Sequence, residues 1–410
     1  MKVAVIGAGA SGLTCAISIA EKSKMNNLPI EVTLLESNDK VGKKILATGN
    51  GRCNMMNRNE GAFFFDKDGF SSYALKKYNT RSNLDFFASH GLYTRTDEEG
   101  RIYPMSNQAS SVLDVLRFAC DGLGVETLTD YTVNSLKVKN GKFILNNELS
   151  FDKVVLSCGG KSSVKSFNGY DLLKQTGHSV TKIFPSLTKF EVDEINIVKQ
   201  LKGVKQKGSF KLVNNKTEVA GEEGEILFTD YGISGIAAMQ LSAFAVRCNG
   251  DIRIIADFVN ELSFNELAIA IERFAKTAIG LKNENLLSGF VPKRLGCIVV
   301  KNAGLSLNDD SCKLNKKDFK TIAGMLKGFE FKVKGVKGFN ESQVTAGGAD
   351  THQFNSKTME SKKIKGLYCI GELLDVDALC GGYNLHWAWS SARLCGESIV
   401  NEELNRKGKK

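Results

Sequence analysis

The chain is 410 residues long, with 42% hydrophobic and 24% charged residues and a formal net charge of +10. That length exceeds what one compact core usually holds and points to two or three domains, while the composition is that of a soluble globular protein, not a disordered or fibrous one. The lysines are dispersed and no basic stripe alternates with aromatic residues, so the charge reads as a solvated surface, not a nucleic-acid groove.

The N-terminus runs Lys2-Val3-Ala4-Val5-Ile6, a buried-strand pattern, straight into Gly7-Ala8-Gly9-Ala10-Ser11-Gly12. Gly7 allows a tight turn and Gly9 lets the backbone approach a pyrophosphate. Gly12 lets the next helix pack close to the strand, its free N–H groups facing the phosphate charge. The next apolar strand, residues 31–35, ends on Glu36, whose carboxylate can accept two hydrogen bonds from a ribose. Strand, glycines, helix and acid in register predict a dinucleotide site; NAD and FAD both stay open, because each carries an ADP half. The glycines also break the one long apolar stretch in this region, so neither a signal peptide nor a membrane span is expected.

The loop at residues 42–54 is too polar and glycine-rich for a strand. Gly49 and Gly51 permit close backbone approach, and Asn50, Arg52 and Asn54 offer several donors, as a large polar ligand would require. Tyr73, Leu75, Tyr78, Leu84, Phe86 and Phe87 recur at helical spacing and predict two core-facing helices within residues 72–90. Residues 100–105 read as an extended turn leading into a helix near 109–120, and residues 125–145 as a strand and a hairpin closed at Asn140-Gly141. Residues 151–156 read as another buried parallel strand, ending in Ser157-Cys158-Gly159-Gly160. No second GxGxxG follows it, which counts against a separate NADPH-binding domain.

From about Glu191 the character changes. Alternating runs at 208–213 and 252–257 predict an antiparallel barrel, and 263–281, 283–301 and 316–326 read as helices. From about Lys337 the cofactor motifs return: one nucleotide-binding domain is split by an insert, with the substrate expected at their junction.

Residues 366–372 read as a short buried strand ending in Gly371-Glu372. After a short loop, Gly381-Gly382-Tyr383-Asn384 opens a helix that continues through Leu385 and His386. A second strand–glycine–acid unit with a second glycine-led helix start suits a ligand with two polar ends, and so favours FAD. Glu372 would bind a ribityl or ribose hydroxyl. The N–H groups near Gly382 and Tyr383 would face an electron-rich ring edge, where the helix dipole favours negative charge.

The ten cysteines are scattered singly, with no CxxC. Zinc or another metal site is therefore not expected, nor a redox-active disulfide, and reduced thiols fit the cytoplasm. Cys53 stands apart because its loop should pass near the cofactor; a packing role is expected for it.

TGNGRCN (residues 48–54), GEILFTDYGISG (224–235), QVTAGG (343–348) and GLYCIGELLDVDALCGGYNLHWAWSSA (366–392) resemble the BaiN-like flavoproteins, some of which are termed aminoacetone oxidases and others NAD(P)/FAD-dependent oxidoreductases. The resemblance spans essentially the whole chain. It departs from the pattern at Met55-Met56, at Asp230 in place of His, at Cys380 in place of Thr, and in a shorter segment after Gly160. It implies an α/β fold: a glutathione-reductase-like FAD-binding Rossmann domain of the two-dinucleotide-binding type, interrupted by an inserted β-barrel and a small helical domain. The expected spans are 1–190 and 338–410 for the FAD domain and 191–337 for the insert. The implied cofactor residues are Gly7, Gly9, Ala10, Ser11, Gly12, Glu36, Ser37, Lys43, Lys44, Asn50, Gly51, Arg52, Cys53, Asn54, Cys158, Gly159, Gly160, Gly371, Glu372, Asp375, Gly381, Gly382, Tyr383, Asn384 and Leu385. Val133 joins them, its backbone expected to pair with adenine.

The resulting reading is an FAD-dependent oxidoreductase acting between a small organic substrate and the flavin, with NADH or NADPH as a transient donor. Arg52, Asn54 and Tyr103 are expected on the substrate side; the four histidines are too scattered to supply a base. No membrane or nucleic-acid partner is expected, and the oligomeric state stays open. The rival readings are an NAD-linked dehydrogenase without flavin, a tRNA-modifying or otherwise nucleic-acid-associated flavoprotein, which the positive charge would suit, and a flavin-binding module without turnover.

Overall fold

The computed structural model describes residues 1–59, 64–163 and 167–407. The chain forms two compact units, one made of Met1–Phe184 with Val344–Lys410 and the other of Pro185–Gln343.

The first unit is built on β1 (Lys2–Ile6), α1 (Ala10–Met25), β2 (Glu31–Leu35), β3 (Glu126–Leu128), β4 (Lys153–Leu156), β5 (Leu367–Cys369) and α2 (Tyr383–Lys407). The strands form one parallel sheet in the order β5-β4-β1-β2-β3. β4 and β5 are buried throughout and β1 from Val3 onward, which is why they read as continuous apolar runs. Ile6 pairs with both Leu35 and Leu156, so β1, β2 and β4 end along one edge. Gly7, Glu36 and Ser157 emerge there together, where the chain reverses its direction of winding and ligands bind in such sheets.

The turn into α1 explains its glycines. Gly7 has φ +102°, and a β-carbon on it would lie 2.6 Å from the Ser157 oxygen. A β-carbon on Gly12 would overlap the Gly7 carbonyl oxygen, so the helix can lie against the turn only without one. α1 packs in turn on α2, where a β-carbon on Gly396 would come within 2.7 Å of the Ser18 β-carbon. α2 is buried over most of its first four turns, including both tryptophans.

Residues 72–90 form two helices, Ser72–Lys77 and Thr80–Ser89. Asn79 separates them by capping the second through the Ser82 N–H, at 3.0 Å. The first helix is therefore less than two turns long and leaves Tyr73 39% exposed, where a core position was expected. A small antiparallel sheet, Met56–Asn57, Arg101–Pro104 and Thr94–Thr96, lies in the same unit.

The second unit is a closed six-stranded antiparallel barrel, in the order Phe190–Val192, Gly232–Ser234, Thr217–Phe228, Lys205–Asn214, Ile252–Asp257 and Phe329–Val336. Phe210, Leu212, Phe228, Ile254, Ala256 and Phe331 fill it, so it is a packed core and not a channel. Helices Phe264–Thr277, Lys293–Asn302 and Lys316–Lys327 share that core, so barrel and helices form one hydrophobic body. The first and third start on capping boxes, Ser263 with Glu266 and Asn315 with Asp318. The helix expected over 283–301 is instead a single turn at Asn283–Asn285 followed by a helix from Lys293. Pro292 lacks the N–H a continuous helix would need and stands just before the helix, where proline is tolerated. Among the described residues, no helix is long and apolar enough to cross a membrane.

Candidate functional site

The site grows from the edge of the parallel sheet. α1 starts at Gly9 with no side-chain cap and no acid in its first turn, so its first N–H groups, from Ala10, Ser11 and Gly12, have no acceptor within the helix. Glu36, only 8% exposed, closes the turn from the β2 side. Its Oε2 accepts the Ala8 N–H at 3.0 Å, and its Oε1 accepts the Asn38 N–H at 2.9 Å and, more weakly, the Ser37 hydroxyl at 3.4 Å.

The C-terminal motif meets this turn directly. A β-carbon on Gly371 would lie 2.7 Å from Ser11 Oγ, and one on Gly160 would lie 2.6 Å from Glu372 Oε1. Glu372 accepts the Thr345 N–H at 2.9 Å on Oε1 and Lys44 Nζ at 2.7 Å on Oε2. Of the two adjacent lysines only Lys44 turns inward; Lys43 pairs with Asp39 at 2.5 Å on the surface. Gly371 is held from both sides, its N–H by Ser391 Oγ at 3.1 Å and its carbonyl by the Trp387 indole N–H at 3.0 Å. Asp375 is half-buried nearby, its N–H donating to Ala349. Cys158 directs its thiol at the Ile6 carbonyl, 3.5 Å away.

The loop at 48–54 is held in an unusual backbone path, with Gly49, Asn50, Gly51 and Cys53 all in the left-handed region. Cys53 is fully buried; its N–H donates to the Thr48 carbonyl at 3.0 Å, and burial pushes its thiol up to about 11. Burial and a raised thiol suit packing and not a reactive thiolate. Asn54 joins this loop to the start of α2. Oriented as its neighbours require, its amide donates to the Met56 carbonyl at 3.0 Å and accepts the Gly382 N–H at 3.2 Å. The Trp389 indole adds a second tie, donating to the Met55 carbonyl at 3.0 Å. The Arg52 guanidinium lies 4.7 Å over the Tyr103 ring, with Nε directed at the Gly49 carbonyl at 3.5 Å.

Three expected ligand groups are already engaged by the protein. The Gly382 N–H belongs to Asn54, which leaves the Tyr383 N–H at the start of α2 for a ring edge. The Asn384 side chain is spent on the Ala378 N–H and carbonyl, at 2.9 and 2.8 Å, while Leu385 is half-buried one residue on. The Val133 carbonyl accepts from Asn168 Nδ2 at 2.6 Å. The residues that sequence reasoning passed over are those that hold the motifs in place: Trp387, Trp389, Ser391, Thr345 and Asn168. A Trp-X-Trp pair directly after a glycine-led helix start was the visible signal. None of the four histidines is placed among these groups: His178 bonds Ser361, His386 contacts the Tyr78 carbonyl, His90 lies near Glu21, and His352 pairs with Asp68 and Asp350. Among the described residues no cluster of three or more His, Cys, Asp or Glu could hold a metal ion.

Comparison with known proteins matches residues 1–398 to the family described as HI0933-like protein Rossmann domain. The 3-dehydro-bile acid delta(4,6)-reductase of Clostridium scindens is 32% identical over 411 residues, covering 97% of this chain and 99% of that protein. The ribosomal RNA dihydrouridine synthase of Haemophilus influenzae is 29% identical, covering 97% and 98%. That of Escherichia coli is also 29% identical, covering 97% of each. Among solved structures, adenylylsulfate reductase of Archaeoglobus fulgidus aligns over 99% of this chain and 70% of its own, with a TM-score of 0.42 at 11% identity.

Proposed function

The chain belongs to the HI0933-like protein Rossmann domain family, and from that premise we propose that it is an FAD-dependent oxidoreductase. Its reaction is reduction of a carbon–carbon double bond conjugated to a carbonyl group, with NADH or NADPH as the transient electron donor. The observation that carries the cofactor reading is the meeting of two glycine–acid turns in one unit, where Gly371 lies against Ser11 and Glu372 is held by Lys44.

The residues fit FAD. A β-carbon on Gly9, Gly51 or Gly159 would meet no atom within 4 Å, so three separate motifs border open space. The start of α1 offers uncapped N–H groups to a pyrophosphate. Glu36 Oε1 is already taken by Ser37 and by the N–H and Nδ2 of Asn38, so its Oε2 would accept the adenosine ribose; Glu372 would accept a ribityl hydroxyl and the Tyr383 N–H would serve the ring edge. When bound, FAD supplies hydride transfer, and the protein supplies binding, orientation and electrostatics. Arg52 and Tyr103 line the substrate side, and Asn54 positions that loop against α2.

The relatives' names support the substrate class. A 3-dehydro delta(4,6) steroid is a ketone conjugated to double bonds, and dihydrouridine is a uracil ring saturated beside its carbonyl. The net change in both is addition of one hydride and one proton across a carbon–carbon double bond conjugated to the carbonyl, the hydride at the end remote from the carbonyl, with both electrons originating from the nicotinamide. The purified protein should be yellow and release FAD on denaturation. Under anaerobic conditions NADH or NADPH should bleach it, and a conjugated enone should restore the colour. Protein that cannot be reconstituted with FAD, or reduced flavin that only oxygen reoxidises, would overturn the reading.

A second reading takes the conjugated system to be a uracil in RNA. Two of the three relatives compared above carry that activity in their names. RNA retained at moderate salt, with dihydrouridine formed in it on incubation with NADPH, would favour this over a free small molecule.

A further inference from the structure

The antiparallel sheet beside the loop at 48–54 gathers arginines on one face. Its register places Arg95 opposite Tyr103 and Asn57 opposite Arg101. Side chains directly opposite each other share a face, and alternate residues of a strand do too. Asn57, Arg95, Arg101 and Tyr103 therefore lie together, and Arg52 covers the Tyr103 ring from the loop. The same face reaches the start of α2, where Asn57 Nδ2 donates to the Gly381 carbonyl at 3.1 Å.

The charges on this face do not balance. Arg101 is paired with Glu99 at 2.5 Å and Asp97 at 3.9 Å. Neither Arg52 nor Arg95 has a carboxylate within 4.0 Å among the described residues; their polar contacts are with carbonyls, Gly49 for Arg52 and Met105 for Arg95. Arg52 spends only Nε on its carbonyl, so both terminal NH2 groups stay available. Stacking on Tyr103 fixes the guanidinium plane, which is the arrangement that matches an oxyanion with two parallel hydrogen bonds.

We propose that this face is an anion subsite: the substrate carries a carboxylate or a phosphate monoester in addition to its conjugated carbonyl, gripped by Arg52 with Arg95 as the second cation. The assignment rests on the reductase reading above. It makes Arg52 a specificity residue for the substrate, not a clamp on the cofactor.

The test is equilibrium binding to the FAD-loaded protein, using two matched pairs of probes: cholanoate against its methyl ester, and uridine monophosphate against uridine. The wild type should bind the charged member of at least one pair about tenfold more tightly, as loss of a charged hydrogen-bonded pair implies. The pair that shows the preference tells carboxylate from phosphate. Arg52→Met should bring the two members to within about twofold, the level of an exposed ion pair, and Arg95→Met should narrow the gap partly. FAD content is measured in each variant. Charged probes that do not bind, or bind no better than their neutral twins, overturn the proposal. So does a preference that survives Arg52→Met, or FAD lost from that variant. Enone reduction measured on the same preparation keeps the two readings apart: turnover without charge preference rejects only the subsite, and charge preference without turnover rejects only the reductase.

Discussion

Lys44 Nζ stands 2.7 Å from Glu372 Oε2, an ion pair between residues 328 positions apart that ties the N-terminal half of the site to the C-terminal half. Both side chains are partly exposed, at 36% and 21%, so the pair adds little to global stability, about 0–1 kcal/mol. Its effect is to aim Glu372. Lys44→Met should leave the melting temperature within about 4 °C of wild type while weakening FAD binding several-fold, read by fluorescence titration of the apoprotein. An unaltered FAD affinity would show that Glu372 does not need aiming, and that its carboxylate is not a cofactor ligand.

The glycine fingerprint separates into residues that serve the fold and one that serves the ligand. A β-carbon on Gly12 would overlap the Gly7 carbonyl, whereas one on Gly9 meets nothing. Gly9 also has φ −85°, which alanine adopts without strain. Gly9→Ala should therefore leave the apoprotein's denaturation midpoint unchanged and still impair FAD uptake. Gly12→Ala should destabilise the apoprotein itself by about 1–3 kcal/mol, the usual cost of overpacking. Equal effects of the two variants on the apoprotein would contradict this division.

Much of this arrangement was legible from sequence because the central strands are short apolar runs that end on glycine or an acid. Ile6, Leu35 and Leu156 stop along one edge, and Gly7, Glu36 and Ser157 follow them there. The barrel was legible from period-two alternation around Phe210 and Ile254. What sequence could not supply was the competition for hydrogen-bonding groups. The Gly382 N–H is taken by Asn54 and the Val133 carbonyl accepts from Asn168, side chains distant in sequence whose amides point where only the folded chain can bring them. Tyr73 was misplaced because the short first helix turns Ala74 and not Tyr73 to the core: Ala74 is fully buried and Tyr73 is 39% exposed.

Asn54 offers a sharper test of the start of α2 than Gly382 does. Gly382 has φ +96°, and a β-carbon there would come within 2.5 Å of the Met56 oxygen, so a bulky substitution would displace the backbone and obscure any electrostatic effect. Asn54→Ala removes the amide and leaves the Met56 carbonyl and Gly382 N–H unpaired, which should cost about 1–3 kcal/mol by urea denaturation. Asn54→Asp keeps the acceptor for Gly382 and loses only the donor, and should cost less. If the Tyr383 N–H faces the flavin, both variants should also shift its reduction potential in a redox titration. Potentials identical to wild type would place the ring edge elsewhere.

Cys53 gives the chain a pH dependence whose sign follows from burial. Removal from water raises its thiol from the ordinary value of 9.0 to about 11, with the Thr48 hydrogen bond pulling slightly the other way. In the unfolded chain the thiol ionises near pH 9.0, whereas in the folded chain it keeps its proton to about 11. The folded state thus binds more protons across that window, and its stability must fall as pH rises through it. The contribution is complete below pH 9.0, declines from there, and levels off above about 11. At about 1.4 kcal/mol per unit the loss is on the order of 2–3 kcal/mol. Other buried thiols, Cys120 among them, add slopes of their own, so the measurement is the stability difference between wild type and Cys53→Ala at each pH. That difference should shift against the wild type between pH 9.0 and about 11, and at pH 8 Cys53 should resist iodoacetamide in the folded protein. A flat difference together with rapid alkylation would identify Cys53 as an accessible thiolate, and would return to this loop the reactive role that its burial now argues against.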